Sequence, residues 1–225
     1  MEDNPVTLQE IELLRSKYLE INQFYIDKLK PAIMVIKSLA YPDNIPIAFP
    51  LEIRAFITHL SRAQKIFEPN IENLNSFQIK TACENLDKAQ RHYSRCLLDC
   101  DKWMCIYFED QIDAIFNELS AKLPLVEIDN GNYLKEIHEK QRSAYELHRD
   151  AKRLDAKGDE SANEKYEKAA GAYNDVYALL KNPGESRKVQ MDKLASIEKT
   201  DSFNIYKCAF IGLAVAIVGL VVNFF

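Results

Sequence analysis

At 225 residues, 47% apolar and 28% charged, the chain is long enough and apolar enough to bury a core, which excludes the disordered and fibrous classes. A formal net charge of -5 excludes broad electrostatic capture of nucleic acid and leaves only a local basic cluster to hold phosphates. Five cysteines in helical patterns suit a reducing compartment, while 6 glycines, 8 prolines and scarce β-branched alternation point to a mostly helical chain.

No apolar stretch opens the sequence, so a secretory leader is not expected. The first predicted helix, "TLQEIELLRSKYLEINQFYIDKLKPAIMVIKSLAY", carries Leu8, Ile11, Leu14, Tyr18, Ile21, Tyr25 and Leu29 on one face. Thr7 with Glu10 three residues on has capping-box spacing, and Pro31 is expected to kink or split the helix. The proline-rich loop "YPDNIPIAFP" follows, with Pro50 placed to open a second helix from about Leu51 to Phe67. After "EPNIENLNS" a third helix is expected from about Phe77 to Lys122, which closes an antiparallel helical bundle over residues 1–123.

"LPLVEIDNGN" then reads as a linker into a helical hairpin at 132–182, its two helices separated at Gly158. Ala162, Tyr166 and Ala169 resemble the second helix of a tetratricopeptide repeat, but one copy cannot form a stacked array. A lone hairpin is expected to pack on the bundle, on a second subunit or on a partner protein. Residues 183–203 form a charged connector. From Cys208 the chain reads "CAFIGLAVAIVGLVVNFF", uncharged to its end. As a helix these 18 residues would span roughly 27 Å, so 204–225 is expected to be a single transmembrane tail anchor. Arg187, Lys188, Lys193, Lys199 and Lys207 upstream are expected to put the soluble part on the cytoplasmic side. Ala209, Gly212, Ala216 and Gly219 are spaced three, four and three, the pattern of small residues through which membrane helices oligomerise.

Two polar strips interrupt the bundle's apolar pattern. On the second helix Glu52, His59 and Arg62 share one strip; on the third, Asn85, Lys88, His92, Arg95 and Asp99 repeat at three and four. Polar stripes of this kind are also what a solvated face presents, with Arg95 and Asp99 as an ordinary i,i+4 pair. If the strips face each other, Arg54, His59, Arg62, Lys88, His92 and Arg95 converge on a pocket suited to a nucleotide or an RNA phosphate. No metal site or cofactor is expected, since His92, Cys96 and Cys100 at four-residue spacing read more naturally as one side of a helix than as zinc ligands. The glycine loop that grips phosphates, the G-x-S-x-G elbow and the H-E-x-x-H motif are all missing, which removes the common kinase and hydrolase classes.

Arg54-Ala-Phe-Ile-Thr-His59 resembles the R-x(4 to 6)-H motif of the HEPN superfamily, and Arg142 to His148 has the same kind of spacing. The resemblance covers at most the first half of the chain. It implies an all-helical bundle that often dimerises and, in active members, cleaves RNA without a metal, with Arg54 on the phosphate and His59 as acid or base. Joined to a membrane segment, such bundles look like bacterial anti-phage or CRISPR-linked membrane effectors. Three functions therefore follow from the sequence: an oligomeric membrane effector triggered by a nucleotide, RNA or protein signal; a membrane-tethered HEPN-type ribonuclease; and a non-catalytic tail-anchored adaptor.

Overall fold

Every element of the computed structural model is helical; it describes residues 6–39, 48–67 and 74–197, and among these there is no strand. Helix α1, Leu8–Phe24, passes through a π turn at Tyr25–Leu29 into α2, Lys30–Leu39. Then come α3, Ala48–Phe67; α4, Ser76–Lys122; α5, Asn132–Asp155; α6, Ala162–Lys181; and α7 over residues 185–197. The fold class is all-α. The chain gathers into two compact units, one from the described residues of 1–107 and 147–170, the other from those of 108–146 and 171–225.

Seven-residue steps build the core of the first unit. On α4 the buried residues Ile79, Ala82, Leu86, Ala89, Tyr93, Cys96 and Cys100 alternate by three and four, and on α3 Phe49, Phe56 and Ala63 recur every seven. A repeat of 3.5 residues keeps one seam against its neighbours only if the helices wind slightly around one another. The first helix solves the same problem differently. Leu14, Ile21, Leu29 and Ile36 are all buried, but Ile21 and Leu29 stand eight apart. The extra residue is taken up by the π turn, in which Lys30 N–H bonds the carbonyl of Tyr25. Pro31 supplies the reason: its ring would meet the carbonyl of Asp27 in a regular α-helix, and it has no N–H to give. The expected break is thus a widened turn, and the apolar stripe continues through it.

Caps behave as their residue types dictate. Thr7 and Glu10 form the capping box at the start of α1. Asn75 and Gln78 do the same for α4, each side chain accepting from the other's backbone N–H, at 2.9 and 3.0 Å. Pro50 falls in the first turn of α3, where its missing N–H has no partner to lose. Past the end of helix α5, Gly158 takes φ +70°, and there Asp159 N–H reaches Leu154 O and Gly158 N–H reaches Asp155 O. That closed turn lets α6 return, burying Ala162, Tyr166, Ala169 and Ala170 in this unit.

In the second unit Phe108, Ile112, Leu125, Ile128, Tyr133, Ile137, Tyr173, Val176 and Leu180 are buried. The stretch expected as a linker is a tied turn. Asp129, Asn130 and Gly131 all take positive φ, a conformation Asp and Asn tolerate and Gly adopts freely. Asp129 N–H donates to Gln190 Oε1 at 2.7 Å, and the Asp129 carboxylate accepts from Arg187. Arg187 also bonds Glu136 at 3.0 Å and lies over the ring of Tyr133.

Among the described residues no helix is long and apolar enough to cross a membrane. The segment 204–225, with Ala209, Gly212, Ala216 and Gly219, lies outside the described residues, as does the loop at 40–47.

Candidate functional site

The two polar strips meet along α3 and α4. The imidazoles of His59 and His92 stack, centroids 5.4 Å apart and planes within 9° of parallel. His92 Nδ1 lies 2.6 Å from Glu52 Oε2, and Arg95 Nη1 lies 3.6 Å from Glu52 Oε1. His59 Nδ1 lies 3.0 Å from Asn85 Oδ1. Asn85 donates its own Nδ2 to the carbonyl of Thr81 at 2.8 Å, so its Oδ1 must be the acceptor toward the histidine. Both histidines therefore carry a proton on Nδ1: a carboxylate faces one and an amide oxygen the other. Each has Nε2 left as its second nitrogen.

The other sequence candidates surround this centre without joining it. Arg54, Arg62 and Lys88 are exposed, and Arg95 is exposed beyond its contact with Glu52. Arg54 and His59 stand about 140° apart around α3, a consequence of five-residue spacing on a helix. In the second R-x-H match Arg142 is exposed and paired with Glu146, whereas His148 is buried and meets the ring of Tyr166 edge-on at 5.8 Å. Burial, with the nearby Lys152 ammonium adding to it, pushes the His148 imidazole down to about 4.

Glu52 and Asn85 are the side chains that define the seam, and neither was among the binding candidates. Both stood in the strips; what the strips did not reveal was that the Glu52 carboxylate would sit between His92 and Arg95. It faces Arg95 at 3.6 Å and accepts from His92 at 2.6 Å, so an anion arriving at these two side chains has to compete with it. The hydrogen bond with Cys96, together with burial, pushes the Cys100 thiol well above the usual range, and both sulfurs are buried core atoms. Among the described residues no group of three or more His, Cys, Asp or Glu is placed to hold a metal ion.

No family model matches this chain, and neither a curated protein nor a solved structure matches it.

Proposed function

We propose that this chain is a membrane-anchored, oligomeric helical effector, of the kind that serves bacterial anti-phage defence, with the α3/α4 seam as its signal-receiving element. The observation that carries a binding role over a catalytic one is Glu52, held by both His92 and Arg95. A nuclease needs an unneutralised cation for the scissile phosphate and a histidine within reach of the same atoms. Here Arg54 stands about 140° from His59 around the helix, and Arg95 is turned to Glu52 at 3.6 Å. A nucleotide or RNA phosphate would act by taking His92 and Arg95 from Glu52, which would loosen α3 from α4.

In this reading the bundle of 1–123 receives the signal and the hairpin of 132–182 offers a face to a partner protein. The connector of 183–203 leads to a single inner-membrane pass at 204–225. Homo-oligomers form through Ala209, Gly212, Ala216 and Gly219, the soluble part is cytoplasmic, and the assembled helices perturb the bilayer. The support is the uncharged apolar run itself together with its small-residue spacing.

Dye release from vesicles carrying the full chain tests this. Glu52→Gln should raise release in the absence of any signal, and Gly212→Leu with Gly219→Leu should abolish it. Release indifferent to both changes would sink the effector. RNA cleavage that disappears in His59→Ala would establish the tethered ribonuclease in its place.

A further inference from the structure

The buried seam of α4 shifts by one residue at Cys100. Up to that point the buried positions are those of the core above; from there they are Asp101, Cys105, Phe108 and Ile112, spaced four, three and four. Asp101 thus occupies a position made for an apolar side chain and is only 5% exposed. It lines a cavity of about 280 Å³ within the first unit, together with Phe24, Lys28, Tyr93, Leu97 and Glu167. Among the described residues no hydrogen bond or ion pair reaches its carboxyl.

The charges around the cavity leave Asp101 without a counterion. Lys28 is bonded to Glu167, Lys168 to Glu164, and Lys102 to Asp155 at 2.7 Å. Three carboxylates line the space, Asp101, Glu164 and Glu167, against the single ammonium of Lys28. Burial pushes the Asp101 carboxyl up to about 7, with Glu167 adding to the effect and Lys28 opposing it. Glu167 and Lys28, with Glu164 also lining the cavity and Tyr93 and Cys100 on its own helix, are the titratable groups around it. No side-chain oxygen among the described residues is both sealed from solvent and unpartnered, so the Asp101 carboxyl opens onto the cavity, and that is where a donor can come from.

We propose that this cavity binds a small organic ammonium ion, its N–H groups bonded to Asp101 and its short apolar body set against Phe24, Tyr93 and Leu97. A metal ion is the poorer fit, because the neighbouring carboxylates are already held by lysines and the walls are largely apolar. An anion would meet three carboxylates. A neutral alcohol would leave the charge of Asp101 uncompensated, whereas an ammonium supplies charge, donors and, over the face of Tyr93, a cation–π contact. The volume stands at the small end of ligand pockets.

The test uses the full chain in detergent, leucine methyl groups labelled, titrated with n-butylammonium chloride and, separately, with 1-butanol. Saturable shifts at Leu97 and Leu98 are expected for the ammonium. The affinity should fall at least about tenfold in Asp101→Asn, and in the native chain should rise at least about tenfold from pH 5 to pH 8 as Asp101 ionises. Equal shifts with butanol overturn the proposal, as do equal affinity in Asp101→Asn, pH-independent binding in the native chain, or no saturation by the ammonium at either pH.

Discussion

The ring of His59 lies parallel to that of His92 across α3 and α4, and each is fixed by a different partner, Asn85 for the first and Glu52 for the second. Glu52 is the more telling of the two, since its carboxylate is about one-fifth exposed while the Arg95 guanidinium it meets is more than half exposed. Truncating Glu52 leaves a partly buried histidine donor unpaired, so Glu52→Ala should lower stability by about 1–2 kcal/mol. Arg95→Ala removes only the exposed end of the pair and should cost less than about 0.5 kcal/mol. Urea unfolding of the two variants separates them; equal losses would mean that the seam is an ordinary solvated face.

Much of the helical frame was legible from spacing alone. Leu86, Ala89, Tyr93, Cys96 and Cys100 announced the buried face of α4, and Thr7 with Glu10 its counterpart at the chain's first cap. Gly158 marked the turn between α5 and α6 because a left-handed residue is needed there. What spacing could not give was partner choice across helices. The rotation of α3 against α4 decides whether Glu52 meets His92 or water, and that rotation depends on how Phe49, Phe56 and Ala63 seat in the core. Asp101 escaped for a related reason. Its signal is the shift of the buried seam after Cys100, and an aspartate beside Lys102 reads as solvated until the neighbouring helices are in place.

The π turn between α1 and α2 answers to Pro31. If the eight-residue step from Ile21 to Leu29 exists because of Pro31, deleting the exposed Ile26 together with Pro31→Ala should restore seven-residue spacing. Such a variant should stay folded, whereas deleting one residue elsewhere in α1 would turn the following half of the stripe by about 100° out of the core. Circular dichroism and urea midpoints of the two deletions compare them directly.

Arg187 ties the strained turn at Asp129 to the start of α5 through two carboxylates and the face of Tyr133. Lysine keeps the charge but loses the planar fork and the stacking. Arg187→Lys should therefore destabilise the second unit by about 1–2 kcal/mol, where an exposed Arg→Lys change would be neutral. Hydrogen exchange at Asp129 and Gln190 should accelerate with it; unchanged exchange would show that the turn holds without Arg187.

Asp101 sets a pH dependence of its own. Its carboxyl titrates near 3.8 when unfolded and at about 7 when folded, so the folded state binds the extra proton between those values. The stability this contributes is present below about pH 4 and is lost as pH rises through 7, a change on the order of 2–4 kcal/mol. Asp101→Asn should remove that loss and raise the melting temperature at pH 8, by about 2–4 °C for each kcal/mol in a chain of this size. Parallel melting curves for the two proteins from pH 4 to 8 would count against a buried, uncompensated carboxyl.

His148 works in the opposite direction over nearly the same range. Unfolded it takes a proton near 6.5, but burial holds the folded imidazole neutral down to about 4. The unfolded state therefore binds more protons in that interval, and stability falls as pH drops from 6.5 to 4, by roughly 2–3 kcal/mol. Between pH 4 and 6.5 the two groups oppose each other, because acidification protonates Asp101 to its benefit and drives a proton toward His148 to its cost. The native chain should then show a shallow profile that hides two steep ones. His148→Gln, neutral throughout, should leave the Asp101 slope alone, with stability rising toward acid; Asp101→Asn should leave the His148 slope, with stability falling. The double variant should be much flatter across the interval, with a residual slope near its acid end from Asp99, whose carboxyl burial pushes up, and from Glu10, Glu118 and Glu164, whose hydrogen-bond partners hold theirs down.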